Sequence, residues 1–252
     1  MKTFFAFLLS SSLAQAAPWV GLSLEQGARG VRIKQVVAGS PGESAGFKAS
    51  EEVLSLDGKK VQSPQDVIDA VHRAGVGHHG VFKLLDKNGH ERTVSVTFSE
   101  RPDPEVLQKT QVIGHAAPDL PLTVKSGAKV DRLSSLRGQV VLVDFFATWC
   151  GPCRAEMPII EAWHEKLSAR GLRVVGISGE TAEVVAEAAS EFKLKYTLVA
   201  DGDEKIAAAF QVFALPTLAV IDRKGIVRAI SISDLEPIEA AIQTALREPV
   251  TK

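Results

Sequence analysis

Phe145-Phe146-Ala147-Thr148-Trp149-Cys150-Gly151-Pro152-Cys153 carries the only two cysteines among 252 residues, and two residues separate them. The apolar run Val140-Val141-Leu142-Val143-Asp144-Phe145-Phe146 leads in. Behind it Met157, Ile160, His164 and Leu167 recur at spacings of three and four, the period of one buried helical face. The order is strand, tight turn, helix. Cys150 then stands at the opening of a helix, where unpaired backbone N–H groups and the helix dipole favour a thiolate over a thiol. A Cys-X-X-Cys pair beside alternating strands and helices reads as a redox dithiol. The alternatives are half of a zinc site or two buried structural cysteines. Tetrahedral zinc needs four ligands, and no second Cys or Cys/His pair at ligand spacing accompanies this one, so neither a metal nor a cofactor is expected.

Composition is that of an ordinary globular protein, 45% hydrophobic and 23% charged with a formal net charge of −1. No basic or acidic excess points to nucleic acid or to an anionic membrane. Met1-Lys2 followed by the apolar Phe4 to Leu9, with Ala14-Gln15-Ala16 as an A-x-A cleavage site, has the layout of a secretory signal peptide over residues 1–17. Its apolar part is shorter than the roughly 20 residues that span a bilayer. The mature chain is expected to be exported to a bacterial periplasm or other extracytoplasmic space, with no membrane span; an uncleaved segment acting as a weak anchor is the alternative.

Between Trp19 and Phe98 the signals are short strands with turn residues between them. Val31 to Val37 alternates and breaks at Ala38-Gly39-Ser40-Pro41-Gly42, Glu52 to Leu56 runs into an Asp57-Gly58 turn, and Ser63-Pro64 opens a helix striped by Val67, Ile68 and Val71. A hairpin follows, turning at Asn88-Gly89. His78-His79 reads as an exposed loop pair. Trp19-Val20-Gly21-Leu22, Gly39 to Phe47 and Val53 to Lys59 together resemble a bacterial PDZ domain of the HtrA-associated type, a small α+β unit placed here at residues 18–100. The resemblance implies that the loop at Val20, Gly21 and Leu22 presents N–H groups to a peptide's C-terminal carboxylate. It implies too that the strand through Leu22, Ser23 and Leu24 takes the peptide as an added strand against the helix at Val67 and Val71. Ser50-Glu51 departs from the family's usual Gly-Asp. A PDZ-shaped spacer without a ligand is the alternative.

Ser99 to Pro104 is a charged, proline-bearing break, and a linker is placed at residues 101–113, with a short helix from Glu105 to Thr110. Beyond it, strand and helix patterns alternate to Leu246, with Val184, Ala188 and Phe192 aligned on one helix and a strand hairpin turning at Asp222-Arg223-Lys224-Gly225. This implies a central mixed sheet flanked by helices. A second domain is placed at residues 114–252, and from about Gly114 to Leu246 it resembles the thioredoxin superfamily, and within it the exported TlpA/ResA-like thiol-disulfide oxidoreductases, through Trp149-Cys150-Gly151-Pro152-Cys153, Leu215-Pro216-Thr217 and Ile221 to Gly225. The group often carries a glycine between Ala229 and Ser233, where this chain has none.

The chemistry read here is dithiol-disulfide exchange. Cys150, the more exposed sulfur, attacks a client disulfide; Cys153 then resolves the mixed disulfide. Gly151 lets the turn close and Pro152 suits the first helical turn. The resemblance implies a cis Pro216 that lies against the cysteines and presents the Leu215 backbone to a substrate strand, with Trp149 lining the docking surface. It implies that Asp144 is a buried acid handling the proton of Cys153. Glu156 matches the buried glutamate of the group or is an exposed helix residue; both stay open. The Gly-Pro dipeptide resembles that of reducing thioredoxins, and a reductase implies a disulfide-bearing client protein and a membrane electron-donor protein; the alternative direction, an oxidase, would need a less stable disulfide, and no cationic cluster by the motif favours it. Two rival functions are a peptide-binding adaptor or holdase driven by the PDZ unit, and a peroxiredoxin-like peroxidase. The second needs Pro-x-x-x-Thr-x-x-Cys, where this chain has Val143 and Ala147.

Overall fold

The computed structural model describes residues 17–249. The export signal read at residues 1–17 therefore lies, Ala17 apart, outside the described residues. The chain forms two compact units that divide between Asp103 and Pro104.

The first unit runs β1 (Pro18–Trp19), β2 (Leu22–Gln26), β3 (Val31–Val36), α1 (Pro41–Ser44), β4 (Glu52–Leu56), β5 (Lys59–Lys60), α2 (Pro64–Ala74), β6 (His79–Leu85), β7 (Glu91–Thr97) and β8 (Ser99–Glu100). Its main sheet has the order β2-β3-β4-β6-β7 and is antiparallel throughout. Strand β2 stands at one margin of this sheet, and among the described residues its outer edge is unpaired. Alternation buries Val31, Ile33, Val53, Phe82, Leu84, Val94 and Val96 with Val67 and Val71 of α2 in one core. Helix α2 starts where the sequence placed it. Ser63 Oγ accepts the Asp66 N–H at 3.2 Å and the Asp66 carboxylate accepts the Ser63 N–H at 2.9 Å, a reciprocal cap worth about 1 kcal/mol. Gly21 has φ +85°, and a Cβ there would stand 2.1 Å from that of Ser40, so the bend between β1 and β2 needs glycine.

The second unit runs α3 (Pro104–Val112), β9 (Val124–Ser126), a 3-10 turn (Leu133–Leu136), β10 (Val140–Phe145), α4 (Gly151–Leu167), β11 (Leu172–Ser178), α5 (Ala182–Glu191), β12 (Thr197–Ala200), α6 (Lys205–Ala209), β13 (Thr217–Ile221), β14 (Val227–Ile232) and α7 (Glu236–Arg247). Residues 104–112, read as linker, belong to this unit: Gln108 donates to the carbonyls of Phe210 and Gln211, and Val112 is buried in its core. The sheet order is β14-β13-β10-β11-β12-β9, parallel from β10 to β12 and antiparallel at both margins.

Strand β10 is buried at every position, as its unbroken apolar run requires. Its residues face two cores in turn. Val140 and Leu142, with Phe146 just past the strand, join α4, α5 and α7 on one side. Val141, Val143 and Phe145 join α6, Val112 and the 3-10 turn on the other. Asp144 is on the first side, beneath α4. The buried face of α4 is broader than the expected stripe, with Cys153, Glu156 and Trp163 added, while His164 is only half-buried. On α5, Val185 and Ala188 carry the burial rather than Val184, which is only partly covered. The thioredoxin-like sheet between helices and the preceding α+β unit are the fold the sequence predicted.

Candidate active site

The strand-turn-helix passage from β10 to α4 is held from below by Glu180. Its carboxylate accepts the Thr148 N–H at 2.7 Å, the Thr148 hydroxyl at 2.6 Å and the Ser178 hydroxyl at 3.0 Å. Trp149 follows and is 75% exposed, a large apolar surface left to solvent. Cys150 is the N-cap of α4, and its own sulfur accepts the Cys153 N–H at 3.2 Å. The helix terminus, with its unpaired donors, is thus aimed at that sulfur. Cys150 and Cys153 form a disulfide with an S–S distance of 2.02 Å. Both are buried, Cys150 at 5% exposure and Cys153 at 2%, so the contrast between them is smaller than expected. Access differs more clearly: Cys150 lines the adjoining groove and Cys153 does not. Gly151 and Pro152 lie exposed on the first turn.

That groove encloses about 380 Å³ and is walled by Phe146, Trp149, Cys150, Val212, Phe213 and Leu215 among others. The Leu215-Pro216 peptide is cis, as the resemblance implied; Pro216 is buried, and the half-buried Leu215 lines the groove. Phe213 projects from the same wall and is exposed. Trp149, Phe213 and Leu215 thus give the groove beside Cys150 an apolar lining.

Asp144 is 1% exposed, and burial pushes its carboxyl up to about 7; the Tyr196 hydroxyl, donating at 3.3 Å, pulls the other way, and the charge of Glu156 adds to the rise. Glu156 is 9% exposed with Oε2 buried and without a partner, and burial raises its carboxyl too. Of the two alternatives for Glu156, the structure has the buried one. Two buried carboxyls therefore lie one on β10 and one on α4, and burial favours the protonated form of each.

Sequence reading missed Tyr196, Gly176 and Glu180. Gly176 carried a usable sign, since a glycine inside the apolar strand Leu172–Ser178 marks close approach by another group. Glu180 gave none, because its partner Thr148 is distant in sequence.

In the first unit, Val20, Gly21, Leu22, Leu24, Val67 and Val71 line one groove of about 270 Å³ between β2 and α2, together with Ile68 and Arg101. Ser23 lies outside this lining and is exposed, because strand alternation turns its side chain to the opposite face of β2. His78 pairs with Asp57 at 2.8 Å on the surface. Among the described residues no helix is long and apolar enough to cross a membrane.

A helix-capping disulfide beside a cis-proline loop, on a mixed sheet between helices, defines a thiol-disulfide oxidoreductase of the thioredoxin superfamily. Comparison with known proteins narrows this. Residues 113–230 match the AhpC/TSA family and residues 18–98 the PDZ domain. Thiol-disulfide oxidoreductase ResA of Geobacillus kaustophilus is 35% identical over 125 residues, 49% of this chain and 71% of that protein. ResA of Bacillus cereus is 32% identical over 114 residues, 45% of this chain and 65% of the length of that protein. Among solved structures, a putative thiol:disulfide interchange protein DsbE from Chlorobium tepidum is 31% identical and covers 53% of this chain and 97% of its own, with a TM-score of 0.49. The chain belongs to the ResA thiol-disulfide oxidoreductase family, with a PDZ domain ahead of its thioredoxin-like domain.

Proposed function

We propose that this protein works outside the cytoplasm as a reductase of client disulfides, with its PDZ domain engaging the C-terminal peptide of a client or partner. The observation that carries the redox reading is the Cys150–Cys153 pair at the N-terminus of α4, open at Cys150 to an apolar groove, with two buried carboxyls on β10 and α4. Export rests on the signal-like residues 1–17.

Reduction proceeds in two exchanges. The Cys150 thiolate, favoured by the Cys153 N–H and the helix terminus, attacks one sulfur of the client disulfide and releases the other as a thiolate that takes up a proton. Cys153 then gives its proton to Asp144 and attacks the Cys150 sulfur. The mixed disulfide breaks, the Cys150–Cys153 bond forms, and the client leaves with both its sulfurs reduced. Two electrons pass to the client, so the protein needs a donor to re-reduce it, for which a membrane electron-donor protein is proposed.

Trp149, Phe213 and Leu215 favour extended apolar segments as the docking element, and Gly151 and Pro152 leave the first turn open to them. In the PDZ domain, the free edge of β2, the bend at Gly21 and the apolar wall of Val67, Ile68 and Val71 suit a peptide added as a strand. A peroxidase reading lacks the hydroxyl and proline it requires, since Ala147 and Val143 are buried apolar residues.

Insulin reduction by wild type, Cys150→Ser and a chain lacking residues 18–100 tests both parts. Loss of activity in Cys150→Ser is expected, and undiminished activity there overturns the redox reading. The shortened chain should retain insulin reduction and lose rate on a native client; equal rates on that client overturn the PDZ role. The reduction potential of Cys150–Cys153 decides direction, a value near that of thioredoxin, about −270 mV, being expected of a reductase.

A further inference from the structure

Tyr196 is the only tyrosine of the chain, and it is fully buried. It stands just ahead of β12, two strands away from β10 in the sheet, yet its hydroxyl reaches the Asp144 Oδ2 at 3.3 Å. The strand between them makes room. Gly176 of β11 is the residue paired with Asp144 in the parallel register. A Cβ at that position would lie 3.0 Å from Tyr196 Cε2, 2.8 Å from Leu198 and 3.1 Å from Phe146. Any side chain at Gly176 would displace the tyrosine ring or its neighbours. The ring is also flanked by His164 of α4, edge-on with centroids 6.2 Å apart.

A phenol hydroxyl buried without a partner is costly, and Asp144 is the acceptor it has. The phenol itself keeps its proton: burial and the neighbouring Asp144 carboxyl hold it well above its ordinary range. Tyr196 can therefore only donate. A fixed donor stabilises the carboxylate over the carboxylic acid, so it opposes the burial that favours the acid. The groups that bear on Asp144 are Tyr196 from ahead of β12 and Glu156 from α4; Leu218 faces it in register on β13 and is apolar. Glu161 and His164 act on the far side of Tyr196.

We propose that Tyr196, laid across Gly176, is a positioning residue of the dithiol site: its hydroxyl orients the Asp144 carboxyl and keeps it able to accept the proton that Cys153 surrenders in the resolving step. This rests on the reading of Asp144 as that acceptor. In that step the Cys153 proton goes to Asp144, the Cys150–client S–S bond breaks, and the Cys150–Cys153 bond forms. Tyr196 exchanges no proton; it sets where Asp144 points and how readily it is ionised.

The resolving step can be timed with dithiobis-nitrobenzoate as the probe disulfide. Reduced protein releases one coloured thiolate as Cys150 is captured and a second as Cys153 displaces the mixed disulfide. In Tyr196→Phe the pH midpoint of the second release should rise by about one unit, with a several-fold slowing near pH 6.5. Near pH 9 the rates should converge, because the thiol then ionises without a base. Gly176→Ala should shift the midpoint in the same direction, and Tyr196→Phe should change nothing in an Asp144→Asn background. An unchanged midpoint, a uniform slowing at every pH, or an effect that persists without Asp144 overturns the proposal. Carbon NMR titration of the Asp144 carboxyl in the disulfide form reads the same bond without turnover. If wild type fails to reduce insulin, the reductase reading falls, and the titration still judges Tyr196.

Discussion

The backbone N–H of Cys153 donates to the sulfur of Cys150 at 3.2 Å, across the turn that opens α4. The bond and the helix terminus both act on Cys150, and only Cys150 reaches the groove. In the reduced protein Cys150 should therefore be alkylated by iodoacetamide at least several-fold faster than Cys153 near pH 7. Peptide mapping by mass spectrometry reads the ratio. Equal labelling, or Cys153 labelled first, would remove Cys150 from the role of attacking thiol.

The buried acid gives the fold an unusual pH dependence. Asp144 titrates at about 7 in the folded protein against 3.8 ordinarily. Between those values the folded chain keeps a proton that the unfolded chain has lost. The associated stability is fully present below the unfolded value, declines between the two values by about 1.4 kcal/mol per pH unit from this one group, and is lost once the pH has risen through 7. Glu156, raised by the same cause, adds in the same direction. Urea unfolding of wild type and Asp144→Asn at pH 5 and pH 8 checks this. The variant should gain on wild type as pH rises, by a few kcal/mol at most. A difference between the two proteins that does not vary with pH would contradict it.

The layout of both units was legible because their signals are local: periodicity for β10 and α4, Ser-Pro for the start of α2, the turn residues for the hairpins. The dithiol and the cis-proline loop were legible as motifs. What closes the site was not. Glu180 meets Thr148 and Tyr196 meets Asp144 through strands brought side by side by the sheet, at sequence distances of 32 and 52 residues. No local pattern encodes such pairs. Glu156 shows the same limit from another side, since helix period alone left its exposure open and the width of the covering layer decided it. The prolines and charges from Ser99 to Pro104 mark a break but not how far a linker at residues 101–113 extends, and Gln108 and Val112 tie the helix that follows to the second unit.

Glu180 should matter to the dithiol without touching it. Removing its carboxylate in Glu180→Ala leaves the N–H and hydroxyl of Thr148 without their acceptor, a loss of about 1–3 kcal/mol where such groups stay out of water. The loop carrying Trp149 then loosens. Insulin reduction should fall several-fold, and with Trp19 and Trp163 replaced by Phe the fluorescence of Trp149 should become more mobile by anisotropy decay. Glu180→Gln, which keeps an acceptor oxygen, should fall between the two. Wild-type activity in Glu180→Ala would show that the clamp is dispensable.

Ser50 offers a test confined to the PDZ domain. Its φ is +72°, in the left-handed region that costs an ordinary residue about 1 kcal/mol. The bend is held by the Ser50 N–H donating to Ile33 O at 2.7 Å, and it turns Glu51 inward, where its carboxylate meets the Arg92 guanidinium at 2.7 and 2.8 Å. The departure from Gly-Asp thus keeps the glycine-like backbone while carrying a side chain. Ser50→Gly should relieve the strain, partly offset by the greater freedom glycine has in the unfolded chain, for a net gain of about 0.5 kcal/mol. Ser50→Val, β-branched and ill-suited to positive φ, should lose more than that. Thermal unfolding of the three proteins gives the order Gly, Ser, Val. A Val variant as stable as the Gly variant would mean that the bend relaxes without cost and that Glu51 alone sets it.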